Sequence, residues 1–235
     1  MDLILKKTFA YGVHFFTSLG AVCGFFSILA IINGEYKTAI LWMVLSMVID
    51  GVDGMLARAA KVSIYANNID GALMDNIIDY INYVMVACFF IYYAGLVPSG
   101  WEIPIIVAIL MTSAYQFCQT DAKTDESNDY FFKGFPSYWS VAVVFMLVLR
   151  WPPLINLAFL ILFNILIFVP IKWVYPTRET RWRKFTLAFS YLFGAVGIYG
   201  IFLYPNVPSW IVNFSWAYTA YYLFLSLTPR KKASG

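Results

Sequence analysis

Four aspartates interrupt an otherwise apolar stretch. Two lie in Asp50-Gly-Val-Asp53-Gly54-Met-Leu-Ala57-Arg58 and two, after a spacer of twelve residues, in Gly71-Ala-Leu-Met-Asp75-Asn-Ile-Ile-Asp79. An ionised aspartate at the centre of a membrane helix costs roughly 2.5–3.5 kcal/mol, so four of them need a compensating partner. Helical phase groups them. Asp50, Asp53, Gly54 and Ala57 fall at i, i+3, i+4 and i+7, and Gly71, Asp75 and Asp79 at i, i+4 and i+8; each set lies on one helix face. Two facing helices would point four carboxylates into one cleft. Hard oxygen donors select Mg²⁺, Mn²⁺ or Ca²⁺ over zinc. Two such ions about 3.5–4 Å apart suit displacement at phosphorus, because they bridge a diphosphate and stabilise the leaving phosphate. One carboxylate then remains to take a proton. Small residues on the same faces allow a backbone or ligand to approach closely, and Arg58 can hold a phosphate oxygen. A purely structural polar cluster would have no stabilising role without a cation. An ion pathway in a divalent-cation carrier explains the acids, but neither the small residues nor Arg58.

The elements that position these residues are membrane helices. The chain has 235 residues, is 61% hydrophobic and is only 12% charged, about half the charge of a soluble domain. The net charge of +3 gives no argument for nucleic acid. Apolar runs near the length a bilayer requires occur at 11–33, 37–58, 68–95, 101–120, 136–150, 153–174, 185–204 and 209–228. Loop signals separate them, among them Asn33-Gly34, Pro98-Ser-Gly100, Pro152-Pro153 and Pro205-Asn-Val-Pro208. Residues 1–235 therefore read as one all-α integral membrane domain, a bundle of about eight transmembrane helices, with the acidic motif on helices 2 and 3 at roughly 37–95. The amino-terminal sequence lacks an Ala-x-Ala cleavage pattern, so the first run is expected to be a retained helix. Cys23, Cys88 and Cys118 are scattered through apolar segments and read as small hydrophobes.

Basic residues orient the bundle. With both termini cytoplasmic, 14 of the 16 Lys and Arg fall on that side, leaving only Lys37 and Arg150 outside. The aspartates then sit at the cytoplasmic ends of helices 2 and 3. The polar run 121–129 reads as a solvated loop. The basic stretch 178–184 reads as a positive flank or an anchor to anionic headgroups.

The acidic motif resembles the signature of the CDP-alcohol phosphatidyltransferase family, D-x-x-D-G-x-x-A-R followed by G-x-x-x-D-x-x-x-D. Asp50, Asp53, Gly54, Ala57, Arg58, Gly71, Asp75 and Asp79 match every fixed position. The twelve-residue spacer, where most members have seven or eight, is similar to the family's bacterial branch that makes phosphatidylcholine. So are His14-x-x-Thr17, Lys133-Gly-Phe-Pro-Ser-Tyr-Trp139 and Phe168-Val-Pro-Ile-Lys-x-x-x-Pro176. The resemblance implies a bacterial inner-membrane enzyme that converts CDP-diacylglycerol and choline to phosphatidylcholine and CMP with Mn²⁺ or Mg²⁺, as two ions. By the same resemblance, Asp50, Asp53, Asp75 and Asp79 would ligate metal, with Asp79 also the general base on the choline hydroxyl. Gly54, Ala57, Arg58 and Gly71 would line the CDP-lipid site. Homodimers are typical of this family. Serine, inositol or glycerol phosphate are the other acceptors it uses; the few basic residues available near the motif favour a cationic one.

Choline offers no donor on nitrogen and is selected by aromatic faces. Tyr83, one turn beyond Asp79, and Tyr115, Tyr138 and Trp139, near the cytoplasmic ends of helices 4 and 5, are the candidates. His14, the one histidine, is placed either against the nucleotide or in helix packing.

Overall fold

A computed structural model of the chain describes residues 3–120, 123–126, 129–174 and 182–228. Thirty consecutive residues without proline form α1 (Leu3–Ile32). It ends at Gly34, whose φ of +74° lets the chain turn back at once, and α2 (Tyr36–Ala59) packs along it. The buried Ser27 hydroxyl donates to the Ala39 carbonyl at 3.0 Å across this hairpin.

The spacer between the two halves of the acidic motif is not bare loop. Lys61 takes a left-handed conformation and leads into the short helix α3 (Val62–Tyr65). Val62 and Ala66 bury against Ala10 and Val13 of α1, and Tyr11 donates to Asn68 Oδ1 at 2.7 Å. Asp70 then caps α4 (Gly71–Asp79) by accepting the Leu73 amide at 3.0 Å, which satisfies one of the amides a helix start leaves open. A π-helical segment, Tyr80–Met85, follows and passes into α5 (Val86–Tyr93). Gly20 and Gly24 of α1 admit this rod, since a Cβ at either would stand 2.7–2.8 Å from the Ile78 or Ile81 side chain.

The remaining helices are α6 (Glu102–Cys118), α7 (Trp139–Leu149), α8 (Pro153–Phe168), α9 (Arg183–Leu203) and α10 (Ser209–Leu227). Val84, Phe90, Ile91, Ile109, Trp139, Val143 and Leu160 form the centre of the core. Among the described residues, four stretches are long and apolar enough to cross a membrane: Leu3–Ile32, Tyr36–Ala59, Gly71–Tyr93 and Arg183–Leu203. Three shorter helices, α6, α7 and α8, are also apolar. Ile4, Phe15, Met111, Leu154 and Tyr191 stand about 70% exposed, the outward face a bundle presents to lipid.

Two expectations need correction. Within the polar run 121–129, residues 123–126 form strand β1 (Lys123–Glu126) and Asp129 starts strand β2 (Asp129–Lys133), paired antiparallel with Glu126 opposite Asp129. The Tyr130-Phe-Phe132 run suits a pleated strand. A third strand, β3 (Lys172–Val174), pairs with β2, where the sixth apolar run, 153–174, was expected to stay helical throughout. Pro170 is the cause: it disfavours helix at Val169 and removes a backbone donor. Residues 121, 122, 127 and 128 of the polar run, Pro176, and Arg178 and Arg181 of the basic stretch lie outside the described residues, as do Arg230, Lys231 and Lys232.

Candidate active site

The facing of α2 and α4 brings the acids together. One carboxylate oxygen from each of Asp50, Asp75 and Asp79 lies within 4.8 Å of the other two, and all three side chains are half-buried. Three hard, anionic donors at that spacing fit a divalent cation. Asp53 is buried at 8% exposure and lies outside this trio. It faces the adjoining cleft, which also reaches Asp75.

That cleft has a volume of about 780 Å³. Gly54, Ala57, Arg58 and Gly71 line it, as the motif predicts, together with His14, Thr17, Lys61 and Asp70. Its charge is therefore split: Asp53, Asp70 and Asp75 face Arg58 and Lys61 across one space. At Gly54 the only close neighbour of an added Cβ is Arg58 Nη1, at 3.5 Å, an ordinary contact. The protein's own packing does not demand glycine there. Gly71 differs: a Cβ would stand 3.2 Å from His14 Cε1, so its smallness seats the imidazole. His14 is buried, and its Nε2 has no hydrogen-bond partner among the described residues.

The aromatic candidates separate into two groups. Tyr83 donates its hydroxyl to Asp50 Oδ2 at 3.0 Å, and its ring lies 6.3 Å from that of Tyr138. Phe132 of β2 meets Tyr138 edge-on at 6.1 Å, so the unexpected sheet braces this side. Trp139 is fully buried, with its indole donating to Ser113 Oγ at 2.7 Å and its ring packed against Phe135 and Phe163. It belongs to the core. Tyr115 is exposed on α6 with its ring 5.3 Å from Phe168. The structure thus joins Tyr83 and Tyr138 to the acidic trio and gives Tyr115 and Trp139 other neighbours.

Lys61, one of the few basic residues the sequence offers near the motif, lines the cleft. Sequence reasoning missed Asp70 as a cleft residue, although an aspartate directly before a helix is a readable capping signal.

A family model described as CDP-alcohol phosphatidyltransferase matches residues 14–221. The chain is also similar to proteins named phosphatidylcholine synthase. One from Legionella pneumophila is 43% identical over 92% of this chain and 87% of its own length. One from Legionella bozemanae is 43% identical over 88% and 97%, respectively. One from Borreliella burgdorferi is 38% identical over 82% and 81%.

Proposed function

The chain belongs to the CDP-alcohol phosphatidyltransferase family, and we propose that it transfers the phosphatidyl group of CDP-diacylglycerol to choline, giving phosphatidylcholine and CMP. The relatives named phosphatidylcholine synthase over most of the chain support the acceptor. The observation that carries the chemistry is the convergence of Asp50, Asp75 and Asp79 beside a cleft of mixed charge.

In this reading Asp50, Asp53, Asp75 and Asp79 hold Mn²⁺ or Mg²⁺, as a pair of ions. Bound there, the ions supply charge neutralisation of the diphosphate and stabilise departing CMP. Arg58 binds a phosphate oxygen, and Gly54, Ala57 and Gly71 leave room for the nucleotide. Asp79 takes the proton of the choline hydroxyl. The choline oxygen then forms a bond to the phosphorus bearing diacylglycerol, the bond from that phosphorus to the bridging oxygen breaks, and CMP leaves with the electron pair. Tyr83 and Tyr138 present ring faces to the quaternary ammonium. An apolar groove of about 320 Å³, running past Val44, Met47 and Val48 on α2 toward Phe193 and Ile201 on α9, gives an acyl chain a path along α2.

The wider reading is a single membrane domain of eight spans, counting the three shorter apolar helices and α10. Both termini and the site face the cytoplasm of a bacterial inner membrane, as the distribution of Lys and Arg supports, and the chain assembles as a homodimer. The test supplies purified protein with CDP-diacylglycerol, Mn²⁺ and labelled choline, serine, inositol or glycerol phosphate in parallel. CMP release with labelled lipid from choline alone is expected. Failure to release CMP with any acceptor overturns the transferase reading, and preference for another acceptor overturns choline.

A further inference from the structure

Tyr83 occupies a position that a ring-only role leaves unexplained. It sits in the π-helical segment directly after Asp79, a break in α-helical phase of the kind that recurs at functional sites. Its hydroxyl reaches across to the neighbouring helix and donates to Asp50 Oδ2 at 3.0 Å. Asp50 is one of the three carboxylates whose oxygens cluster within 4.8 Å. A donor on one carboxylate oxygen fixes the plane of the group and hence the direction of the other oxygen.

The segment that carries Tyr83 is itself held firmly. The side-chain amide of neighbouring Asn82 donates to the Gly20 carbonyl at 3.0 Å and the Ile78 carbonyl at 2.9 Å. The Asn82 backbone carbonyl accepts from Ser140 Oγ at 3.1 Å. Val84, on the other side, is completely buried. The Tyr83 hydroxyl is therefore anchored to α1 and α7 through its neighbours, while it acts on an acid of α2.

We propose that Tyr83 is a positioning residue for the metal site, its hydroxyl holding the Asp50 carboxylate in ligating orientation while its ring remains beside Tyr138. This rests on the metal-dependent reading above and extends it by separating the hydroxyl of Tyr83 from its ring. Partners that orient metal ligands from behind typically change metal affinity 10–100-fold when removed.

The test is Tyr83→Phe, which deletes one oxygen and keeps the ring. Mn²⁺ binding to the purified protein in detergent is followed by electron paramagnetic resonance, without substrates. Binding weakened on the order of 10-fold is expected, with the KM for choline in the turnover assay unchanged. In an Asp50→Ala background, where the hydroxyl has no side-chain acceptor at that position, Tyr83→Phe should change the residual Mn²⁺ affinity less than about twofold. Unaltered Mn²⁺ affinity in the single variant overturns the proposal. So does an equal loss in both backgrounds, because the effect would then bypass Asp50. The resonance readout stands apart from turnover: a wild-type protein that binds Mn²⁺ but releases no CMP sinks the transferase reading while leaving the Tyr83–Asp50 coupling measurable.

Discussion

Gly71 of α4 lies against His14 of α1 so closely that a Cβ there would stand 3.2 Å from the imidazole Cε1. The two residues close one wall of the cleft that contains Asp53, Arg58 and Asp75. Gly71→Ala would displace either the imidazole or the start of the helix bearing Asp75 by a few tenths of an ångström. Misplacements of about 1 Å cost on the order of 10²-fold in rate, so a loss of about 10-fold in kcat/KM for CDP-diacylglycerol is expected. Steady-state kinetics at saturating choline measures it, and a rate within twofold of wild type would show that the wall yields freely.

Asp79→Asn keeps the size of the side chain and removes its ability to accept a proton. General-base contributions are typically 10²–10⁴-fold, so CMP release should fall by at least about 10²-fold. Retention of labelled CDP-diacylglycerol by the purified variant separates lost chemistry from lost binding. Substantial residual turnover would remove Asp79 as the base.

Chelation should abolish turnover, because in the proposed reading the cluster of Asp50, Asp75 and Asp79 holds the ions that neutralise the diphosphate. Full activity should return with Mn²⁺ or Mg²⁺. Zn²⁺, which favours histidine and cysteine ligands, should not restore it. CMP release after dialysis against EDTA and readdition of each ion checks this, and activity that survives exhaustive chelation argues against metal in the reaction.

Trp139→Phe tests the core position of this residue against its sequence-based expectation as a choline contact. The substitution leaves the buried Ser113 hydroxyl without the indole donor it holds at 2.7 Å, a change that costs about 1–3 kcal/mol. A lower thermal midpoint with unchanged KM for choline is expected. A selective rise in the choline KM at unchanged midpoint would instead return Trp139 to the acceptor pocket.

The helical stretches were legible because apolar runs broken by Gly and Pro report where a chain can stay helical. The long helices overlap the expected runs, with shifted ends: α1 starts earlier, at Leu3, α2 extends one residue beyond its run at each end, α9 starts at Arg183 and α8 stops at Phe168, while α3 (Val62–Tyr65) lies in the spacer between runs. The acidic trio was legible because Asp50, Asp75 and Asp79 obey helical phase. The sheet was not, since the pairing of β2 with β3 joins residues 131–133 to 172–174, and no local pattern announces a partner some forty positions away. Trp139 was misplaced for a related reason: aromatic composition does not distinguish a core ring from one at a site.

The sequence by itself determined the chemistry available: carboxylates in two helical registers, small residues beside them and one arginine at the helix end. These depend only on residue type and the fixed period of the helix. Tertiary structure decided which groups meet. It set Asp53 apart from the trio, seated His14 against Gly71, sent Trp139 inside and carried the Tyr83 hydroxyl to Asp50. Those relationships depend on how α1, α2 and the α4–α5 rod approach one another. That approach is set by Gly20, Gly24 and the π-helical turn after Asp79, whose effect exists only between packed helices.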